Sequence, residues 1–583
     1  MPYIAEINRY QVEMLSLDMQ VDQDSTARII DVFVDSLDLD SLGFKHATPS
    51  KEGRPAYPPA SMLKLYIYGH RNNIRSSRRL QRACHVNIEL KWLMKGAEPD
   101  FRTISDFRKD HCDKLKSIFL EFNKRFSDLM TGYYSVDGSK FNASNSKDNN
   151  FTSNKLDDRI EWLKEHIAEF LRQMDQKDKE EEASGTLTAE ELERKLKDAR
   201  ERLEKYQSYR EYMEQNNLSQ ISLSDIDSRL MKNRNGFSVS HNTQTAVESN
   251  THMIADYQVT SSPTDYGQLE STLHELKKDN PDKVIEATAD KGYQSEEDMA
   301  KCLENGIKPH VNLPDGQDTY EVNIPHEEAE ETNPESTDPE EISKCLHAGI
   351  IPDAYKDVIE SAVVSEKDVR VVDETDEVPQ SPFQDDEEMK EKAAEGFFVR
   401  DPVSNKVICP AGETLRQSYV TKQGKIRYIN KFACKNCPYI DKCYHGKKGF
   451  KEVDFYKDEF IKPNGNWMKA SGQEPVFTKR NIKREKRKIV TLILRPDREK
   501  LANRMCLSEH PFGTIKRAMD SSYFLLRGNG KITGEFALFS IGYNLQRAIN
   551  LLGFEEVMRR MSSYFYLFFR FLLISAENTQ LAS

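Results

Sequence analysis

The sequence predicts an α/β protein: a mixed β-sheet interrupted by insertions, with a helical N-terminal segment and a small cysteine-bearing β module. Three observations carry this. Residues 1–130 place apolar side chains at helical spacing. Between residues 133 and 313, short apolar runs bounded by turn residues alternate with an amphipathic helix. Four of the nine cysteines gather between residues 409 and 443.

The elements follow in order. Ile29–Leu42 has spaced apolar positions, and Tyr57-Pro58-Pro59 precedes the periodic run Met62–Tyr68, proline being suited to a helix start. Residues 69–82 carry Arg71, Arg75, Arg78, Arg79 and Arg82, a basic face suited to a DNA backbone or to solvent. Thr103 is the expected N-cap of the helix that follows Pro99-Asp100-Phe101. Tyr133–Asp137 reads as a short buried strand ending in an acid. Phe237–Glu248 and Met253–Ser261 read as strands, Tyr266–Lys278 as a helix, Val284–Asp290 as a second strand ending in an acid, and Lys308–Leu313 as a further strand. Strands joined across a helix in this way make a mixed sheet with crossovers. Leu156–Asn217, with Thr188 as a cap, reads as an antiparallel helical hairpin inserted between the first two strands, a spacer or dimer arm.

Composition narrows the class. The mean hydropathy of −0.72 argues against an integral membrane protein, and the most apolar stretch, Tyr564–Ile574, is eleven residues broken by Arg570, where a spanning helix needs about 20. The N-terminus has no apolar signal region. Nine cysteines, odd in number and thinly spread outside that one cluster, exclude a disulfide framework and point to a reducing cytoplasm. The net charge is −12, yet residues 315–395 hold 26 Asp+Glu against 6 Lys+Arg, a local −20 that leaves +8 on the remaining chain. The acidic segment reads as a largely disordered linker, with Ile350–Val364 as a possible short helix. The rest is basic enough for nucleic acid.

Cys409, Cys434, Cys437 and Cys443 have the spacing C-x24-C-x2-C-x5-C. Four thiolates close a tetrahedral zinc site, and the C-x2-C arm supplies two ligands from one turn; His445 is an alternative to Cys443. Such a closed site is structural. Between its arms, Lys422–Lys431 reads as a basic β-hairpin turning at Gln423-Gly424. Beyond it, KRNIKREKRK (Lys479–Lys488) has seven basic residues and one acid, so Lys479, Arg480, Lys483 and Arg484 are expected at a phosphate backbone. Trp467, in a turn-like Asn464-Gly465-Asn466, is expected to pack locally, with stacking on a flipped base as the alternative.

Asp137 and Asp290 end apolar strands, and a sheet can bring strand ends together whatever their separation. Glu509 lies in Arg504–Arg517, seven positions before Lys516, about two helical turns, with Pro511 either kinking the helix or opening it. Three converging carboxylates require cations, and Mg²⁺ is a hard ion that takes carboxylate oxygens and substrate phosphates. Two such ions about 4 Å apart serve phosphoryl transfer in nucleases, polymerases and strand-transfer enzymes.

Val136-Asp137-Gly138-Ser139-Lys140, Ala289-Asp290-Lys291-Gly292-Tyr293 and Glu509-His510-Pro511-Phe512-Gly513-Thr514-Ile515-Lys516-Arg517 resemble the three signature blocks of bacterial insertion-sequence DDE transposases. Tyr523–Gly528 and Glu535–Arg547 resemble that family's C-terminal block. The stretches around Tyr57-Pro58-Pro59, Ser76-Ser77-Arg78 and Pro99-Asp100-Phe101-Arg102 resemble an InsH-type N-terminal domain. His241-Asn242-Thr243-Gln244 resembles a Tyr-Asn-x-Gln block with His for Tyr. Ala502 and Met505 occupy the family's Tyr and Arg positions, with Arg504 one residue away. The resemblance implies an RNase H-like core and two Mg²⁺ ions per active site, held by catalytic Asp137, Asp290 and Glu509. Lys516 and Arg517 are expected at DNA, and Asp225 and Asp227 are expected to stay outside the metal site.

The expected organisation is a helical DNA-binding domain (1–130), the first part of the catalytic domain (131–313, with the hairpin at 155–217), the acidic linker (314–395), a zinc-ribbon-like insertion (396–490), the second part of the catalytic domain (491–555) and a tail (556–583). The resemblance implies a cytoplasmic, nucleoid-associated transposase that cleaves DNA at element ends and joins them to target DNA, as a homodimer, without membrane or small-molecule substrate. A catalytically silent DNA-binding descendant and a two-metal nuclease without strand transfer are the alternatives.

Overall fold

A computed structural model describes residues 14–48, 55–146, 149–177, 189–216, 220–233, 236–314, 316–329, 331–370, 385–420, 425–446, 448–456, 459–471 and 484–562, together with residues 10, 218 and 383. The chain forms two compact units. The first comprises Met1–Phe151, Ile221–Glu366 and Lys488–Ser583, and the second Thr152–Gln220 and Lys367–Arg487.

The first unit opens with six helices: α1 (Thr26–Asp35), α2 (Pro59–Arg71), α3 (Ser77–Val86), α4 (Ile88–Leu93), α5 (Phe101–His111) and α6 (Leu115–Lys124). Their starts are written in the sequence. Ser25, Ser76 and Asn87 cap α1, α3 and α4 by accepting from backbone N–H groups of the first turn, and α2 begins at Pro59. α5 begins earlier than the Thr103 cap expected for it, because the Asp100 carboxylate accepts from both Arg102 N and Thr103 N.

The sheet follows: β1 (Tyr134–Asn142), β2 (Arg229–Asn233), β3 (Gly236–Glu248), β4 (Ile254–Thr260), then helix α7 (Leu269–Lys278), β5 (Ile285–Ala289), helix α8 (Glu296–Glu304) and β6 (Ile307–Val311). The order is β2-β3-β1-β5-β6, with β4 also paired to β3. β1 runs antiparallel to β3 and parallel to β5, and β5 parallel to β6. The expected strands are all present. Asp290 directly follows β5, but Asp137 lies mid-strand, because β1 continues to Asn142 along an unbroken antiparallel ladder with β3.

The acidic segment differs from expectation. Residues 320–325 form β7 (Tyr320–Pro325), followed by α9 (Pro339–His347) and β8 (Ile359–Arg370). β7 pairs antiparallel with β9 (Arg484–Leu494), and β8 completes a three-stranded sheet on the other side of β9. The averaged charge conceals period-2 alternation: Tyr320, Val322 and Ile324 are buried between Glu321 and Asn323, and Ile342, Leu346, Tyr355, Val358 and Ile359 join the same core. A short 3₁₀ turn (Asp353–Tyr355) and β8 stand where a helix over 350–364 was the alternative. Residues 371–382 lie outside the described residues.

The C-terminal part holds α10 (Arg498–Gly513), which continues into a π-helical turn at Thr514–Ala518, and α11 (Asn529–Leu552), followed by a helical stretch over 554–562. α11 is central to one core that includes Phe33, Leu63, Phe119, Phe141 and Tyr257, drawn from α1, α2, α6, β1 and β4. The N-terminal helices and the sheet therefore bury their apolar faces against the same helix.

In the second unit the helices Ser153–Lys177 and Ala189–Gln215 pack on each other, as the hairpin reading expects; its turn lies outside the described residues. A six-stranded sheet runs in the order 452–455, 426–429, 414–420, 406–408, 397–401, 461–463, with antiparallel neighbours throughout. Strands 414–420 and 426–429 pair antiparallel; only the second lies within Lys422–Lys431, where the basic hairpin was expected, its partner begins earlier in the chain, and the expected turn at Gln423-Gly424 lies outside the described residues. Lys479, Arg480 and Lys483 lie outside the described residues, as does the side chain of Arg484, whose backbone begins β9. Among the described residues no helix is long and apolar enough to cross a membrane.

Candidate active site

Alternation along β1 sets the site. Tyr134 and Val136 enter the core beneath the sheet, so Ser135, Asp137, Ser139 and Phe141 face the other way. That face is covered by α10. Ser135 Oγ donates to Arg504 O at 3.3 Å, Lys516 Nζ donates to Ser139 Oγ at 2.6 Å and to Lys140 O at 2.7 Å, and the Phe141 and Phe512 rings lie 6.1 Å apart. Asp137 therefore sits under the stretch of α10 between Arg504 and Lys516, which carries Glu509.

The β1–β5 register brings in the second acid. Tyr134 pairs with Ala287 and Ser135 with Thr288; two residues further along these parallel strands are Asp137 and Asp290. Asp290 caps the 3₁₀ turn Lys291–Tyr293, accepting from Lys291 N at 2.8 Å, and Arg504 Nη2 lies 3.9 Å from its Oδ1. Burial pushes the Asp137 carboxyl up to about 6. A hydrogen bond from Gly138 N and the Arg504 charge oppose this, while the nearby Asp265 and Asp290 charges add to it.

Asp265 was not singled out from the sequence. It accepts from Lys140 Nζ at 2.9 Å, Asn242 Nδ2 at 2.9 Å and Gln244 Nε2 at 2.7 Å, and Gln244 Oε1 in turn accepts from Tyr293 OH. These three donors outweigh burial and hold its carboxyl below the usual range. The network ties β1, β3 and the Asp290 turn together. Asn242 and Gln244 are two apart on β3, on one face, and that spacing, within the block His241-Asn242-Thr243-Gln244, is the signal the sequence offered. Gly138 lies at a close approach: a Cβ there would lie 2.3 Å from Gln244 Nε2 and 2.5 Å from Asp265 Oδ1, so both side chains would have to shift.

α10 is anchored at its start. Asp497 caps it and its N–H donates to His310 Nδ1 at 3.0 Å. Lys500 reaches Glu286, whose carboxyl is held well below the usual range first by His310, against burial, and then by Lys500 and Lys308. Pro511 sits inside α10, and Glu509 is exposed on it. Lys516 is turned inward, its ammonium 4.4 Å from the Phe141 ring centroid, whereas Arg517 is exposed. Asp225 and Asp227 hold the start of α11, accepting from Gly528 N at 3.0 Å and Asn529 N at 2.8 Å; buried His241 bridges Asp225 and Asn529. Glu535, fully buried, accepts from Leu525 N and Leu526 N and pairs with Arg75.

The structure thus brings Asp137 and Asp290 together beneath the helix of Glu509. Among the described residues, no three His, Cys, Asp or Glu side chains are grouped closely enough to hold a metal ion. In the second unit, Cys409, Cys434, Cys437 and Cys443 line one small cavity with Phe398 and Trp467, and Asn464 Nδ2 donates to Cys443 Sγ at 3.0 Å. Burial raises the Cys409, Cys434 and Cys443 thiols. Trp467 belongs to this core and meets the Tyr439 ring edge-on, at 5.7 Å between centroids, which is local packing.

Three family models match the chain: a transposase domain (DUF772) over residues 15–110, and two models described as a transposase DDE domain over 218–352 and 408–549. The second spans Asp290, Asp225, Asp265 and the β3 network; the third spans the four cysteines and Glu509. Asp137 lies between the first two. Together they define a transposase. The chain belongs to the insertion-sequence DDE transposases, enzymes that act on DNA. No curated protein and no solved structure matches it significantly.

Proposed function

We propose that this transposase cleaves DNA at the ends of its element and joins the freed ends to target DNA, using Asp137, Asp290 and Glu509 on an RNase H-like core. The observation that carries this reading is the β1–β5 register, which sets Asp137 beside Asp290 under the α10 segment bearing Glu509. The strand order, with antiparallel β3 and the strands β2 and β4 paired to it on one side of β1 and parallel β5 and β6, joined through α8, on the other, supports the RNase H-like assignment.

The donor set suits Mg²⁺. Asp137 and Asp290 are hard oxygen donors, and the Asp137 carboxyl, pushed up by burial and by its acidic neighbours, is an anion in want of a cation. Asp137, Asp290 and Glu509 would hold two Mg²⁺ ions, which when bound supply activation of the attacking oxygen and stabilisation of the leaving one. Arg504, inserted between strand and helix, offsets part of the carboxylate charge. The Asp265–Gln244–Tyr293 network fixes the spacing of the two aspartates. Lys516 ties α10 to β1 rather than reaching freely to a phosphate.

Asp137→Ala, Asp290→Ala and Glu509→Ala should each abolish nicking of a plasmid carrying the element ends in Mg²⁺ while retaining binding to the same DNA. Double variants should be no worse than single ones. A Glu509→Ala protein that still nicks at the wild-type rate would sink the assignment of the third acid. Cleavage without joining would make the protein a nuclease.

We also propose a structural zinc ion at Cys409, Cys434, Cys437 and Cys443. That all four line one cavity supports it, and four sulfur donors suit zinc. Elemental analysis of the purified full chain should find one zinc per molecule, lost in a Cys434→Ser/Cys437→Ser variant. A zinc-free, fully folded wild-type protein would refute the site.

A further inference from the structure

The five arginines between residues 69 and 82 look alike in the sequence, and the structure separates them. Arg71 and Arg75 point inward. Arg71 Nη2 donates to Gln546 Oε1 at 2.6 Å. Arg75 pairs with buried Glu535 at 3.0 Å, donates to Asp520 O and Tyr523 O, and lies over the Tyr523 and Phe539 rings. Arg78, Arg79 and Arg82 are exposed along α3, beside exposed Arg102 at the start of α5. The Arg78 guanidinium lies 5.1 Å and that of Arg102 5.8 Å from the centroid of the same Phe101 ring. Among the described residues none of these four guanidiniums forms an ion pair. The acids at hand are engaged: Glu98 pairs with His85 at 2.8 Å, and Asp100 caps α5. In a chain of net charge −12, four unpaired guanidiniums side by side call for an anionic partner from outside.

We infer that the outer face of α3, with Arg102, is a phosphate-binding surface for duplex DNA, held in fixed register with the aspartates by the Arg75–Glu535 pair. This rests on the transposase reading and adds to it where the duplex lies. Planar guanidiniums suit phosphate oxygens, and α3 is about 15 Å long, a helix of groove-spanning size. The register follows from a short chain of contacts. From Asp137, β1 runs on to Asn142, whose N–H donates to Ser522 O at 3.1 Å and whose carbonyl accepts from Phe524 N at 2.9 Å. Arg75 holds that same segment at Asp520 and Tyr523, and the next residue, Ser76, caps α3. Because Arg75 and Glu535 sit in a shared core, α3 is a rigid part of the catalytic unit and not a tethered module.

Two measurements test this on the full-length protein. The Arg78→Ala/Arg79→Ala/Arg82→Ala variant changes only exposed side chains, so its melting curve should match wild type. Its affinity for a duplex bearing the element end should fall roughly tenfold or more, and the slope of log K against log salt should become shallower by about 2.7, roughly 0.9 per lost phosphate contact. Unchanged affinity and slope would overturn the surface. Asp137→Ala serves as the reference: if it binds the duplex while the triple variant is unaffected, only this inference fails, and if wild type binds no DNA at all, the transposase reading itself fails. Tighter binding of wild type to an acidic polypeptide than to duplex at the same salt would also overturn the inference. A photo-crosslinker replacing Arg82 should react at one position of the duplex, at a constant distance from the nicked phosphate. Crosslinks scattered along the duplex would refute the fixed register.

Discussion

At the residue scale, Asp137 is the most informative side chain. A buried carboxyl with two acidic neighbours is a liability without a counter-cation, and one arginine only partly relieves it. The consequence for stability has a definite sign. The folded carboxyl titrates near 6 against an ordinary 3.8, so between those values the native protein keeps a proton that the unfolded chain releases. Stability in chelator therefore falls as pH rises through this window and stays lower above it. Asp137→Asn removes the charge. In chelator at pH 7.5 it should be more stable than wild type by up to about 3 kcal/mol, the difference falling to about 0.5 kcal/mol by pH 4. Denaturant melts at the two pH values would show it; equal midpoints at pH 7.5 would mean the carboxyl is not strained by burial. The Asp-Gly pair that marks this position in the sequence also has a physical cause, since a Cβ at Gly138 would push the Gln244 and Asp265 side chains away from β1.

At the element scale, α11 organises the first unit. Its start is clamped by Asp225, Asp227 and His241, its first turns hold Glu535 against Arg75, and Asn544 donates to Asn123 and Ile254 O while accepting from Ile254 N. Gly534 lies where α11 crosses the backbone of Cys112; a Cβ there would stand 1.9 Å from the Cys112 carbonyl oxygen. Gly534→Ala should therefore destabilise the protein by about 3 kcal/mol or more, because backbone cannot yield as a side chain can. Gly530→Ala, one turn earlier and facing open space, should instead stabilise it by roughly 0.5–1 kcal/mol. Thermal melts of the pair decide the matter, and similar losses at both positions would show that helix propensity, not contact with Cys112, dominates.

At the scale of the whole molecule, the first unit is assembled from three stretches of chain, and the N-terminal helices share their core with α11, more than 400 positions away. An isolated fragment of residues 1–130 would expose the faces of α2 and α6 that α11 and Tyr257 of β4 otherwise cover. It should show helical circular dichroism without a cooperative melt, whereas a chain lacking the hairpin 155–217 should keep one. A sharp two-state transition in the 1–130 fragment would contradict the shared-core view.

Much of this protein was legible locally. Apolar periodicity marked β1, β3, β4, β5, β6 and the helix that became α7, Pro59 marked the start of α2, and the acid-bearing blocks singled out Asp137, Asp290 and Glu509 as candidates. Those signals lie within a few residues of one another, where backbone preference and alternation act. Tertiary structure decided what depends on partners distant in sequence. The β1–β5 register put Asp137 beside Asp290, and Asp265 joined them through donors on β1 and β3. Pairing with β9, some 160 residues on, folded β7 out of a stretch whose averaged charge reads as disordered. Burial against α11 turned Arg71 and Arg75 inward while leaving Arg78, Arg79 and Arg82 outside. An arginine's sequence neighbours are the same in either case; whether it meets a buried carboxylate or water is settled only when the chain packs, because the free energy of its charge depends on which partner and how much solvent surround it.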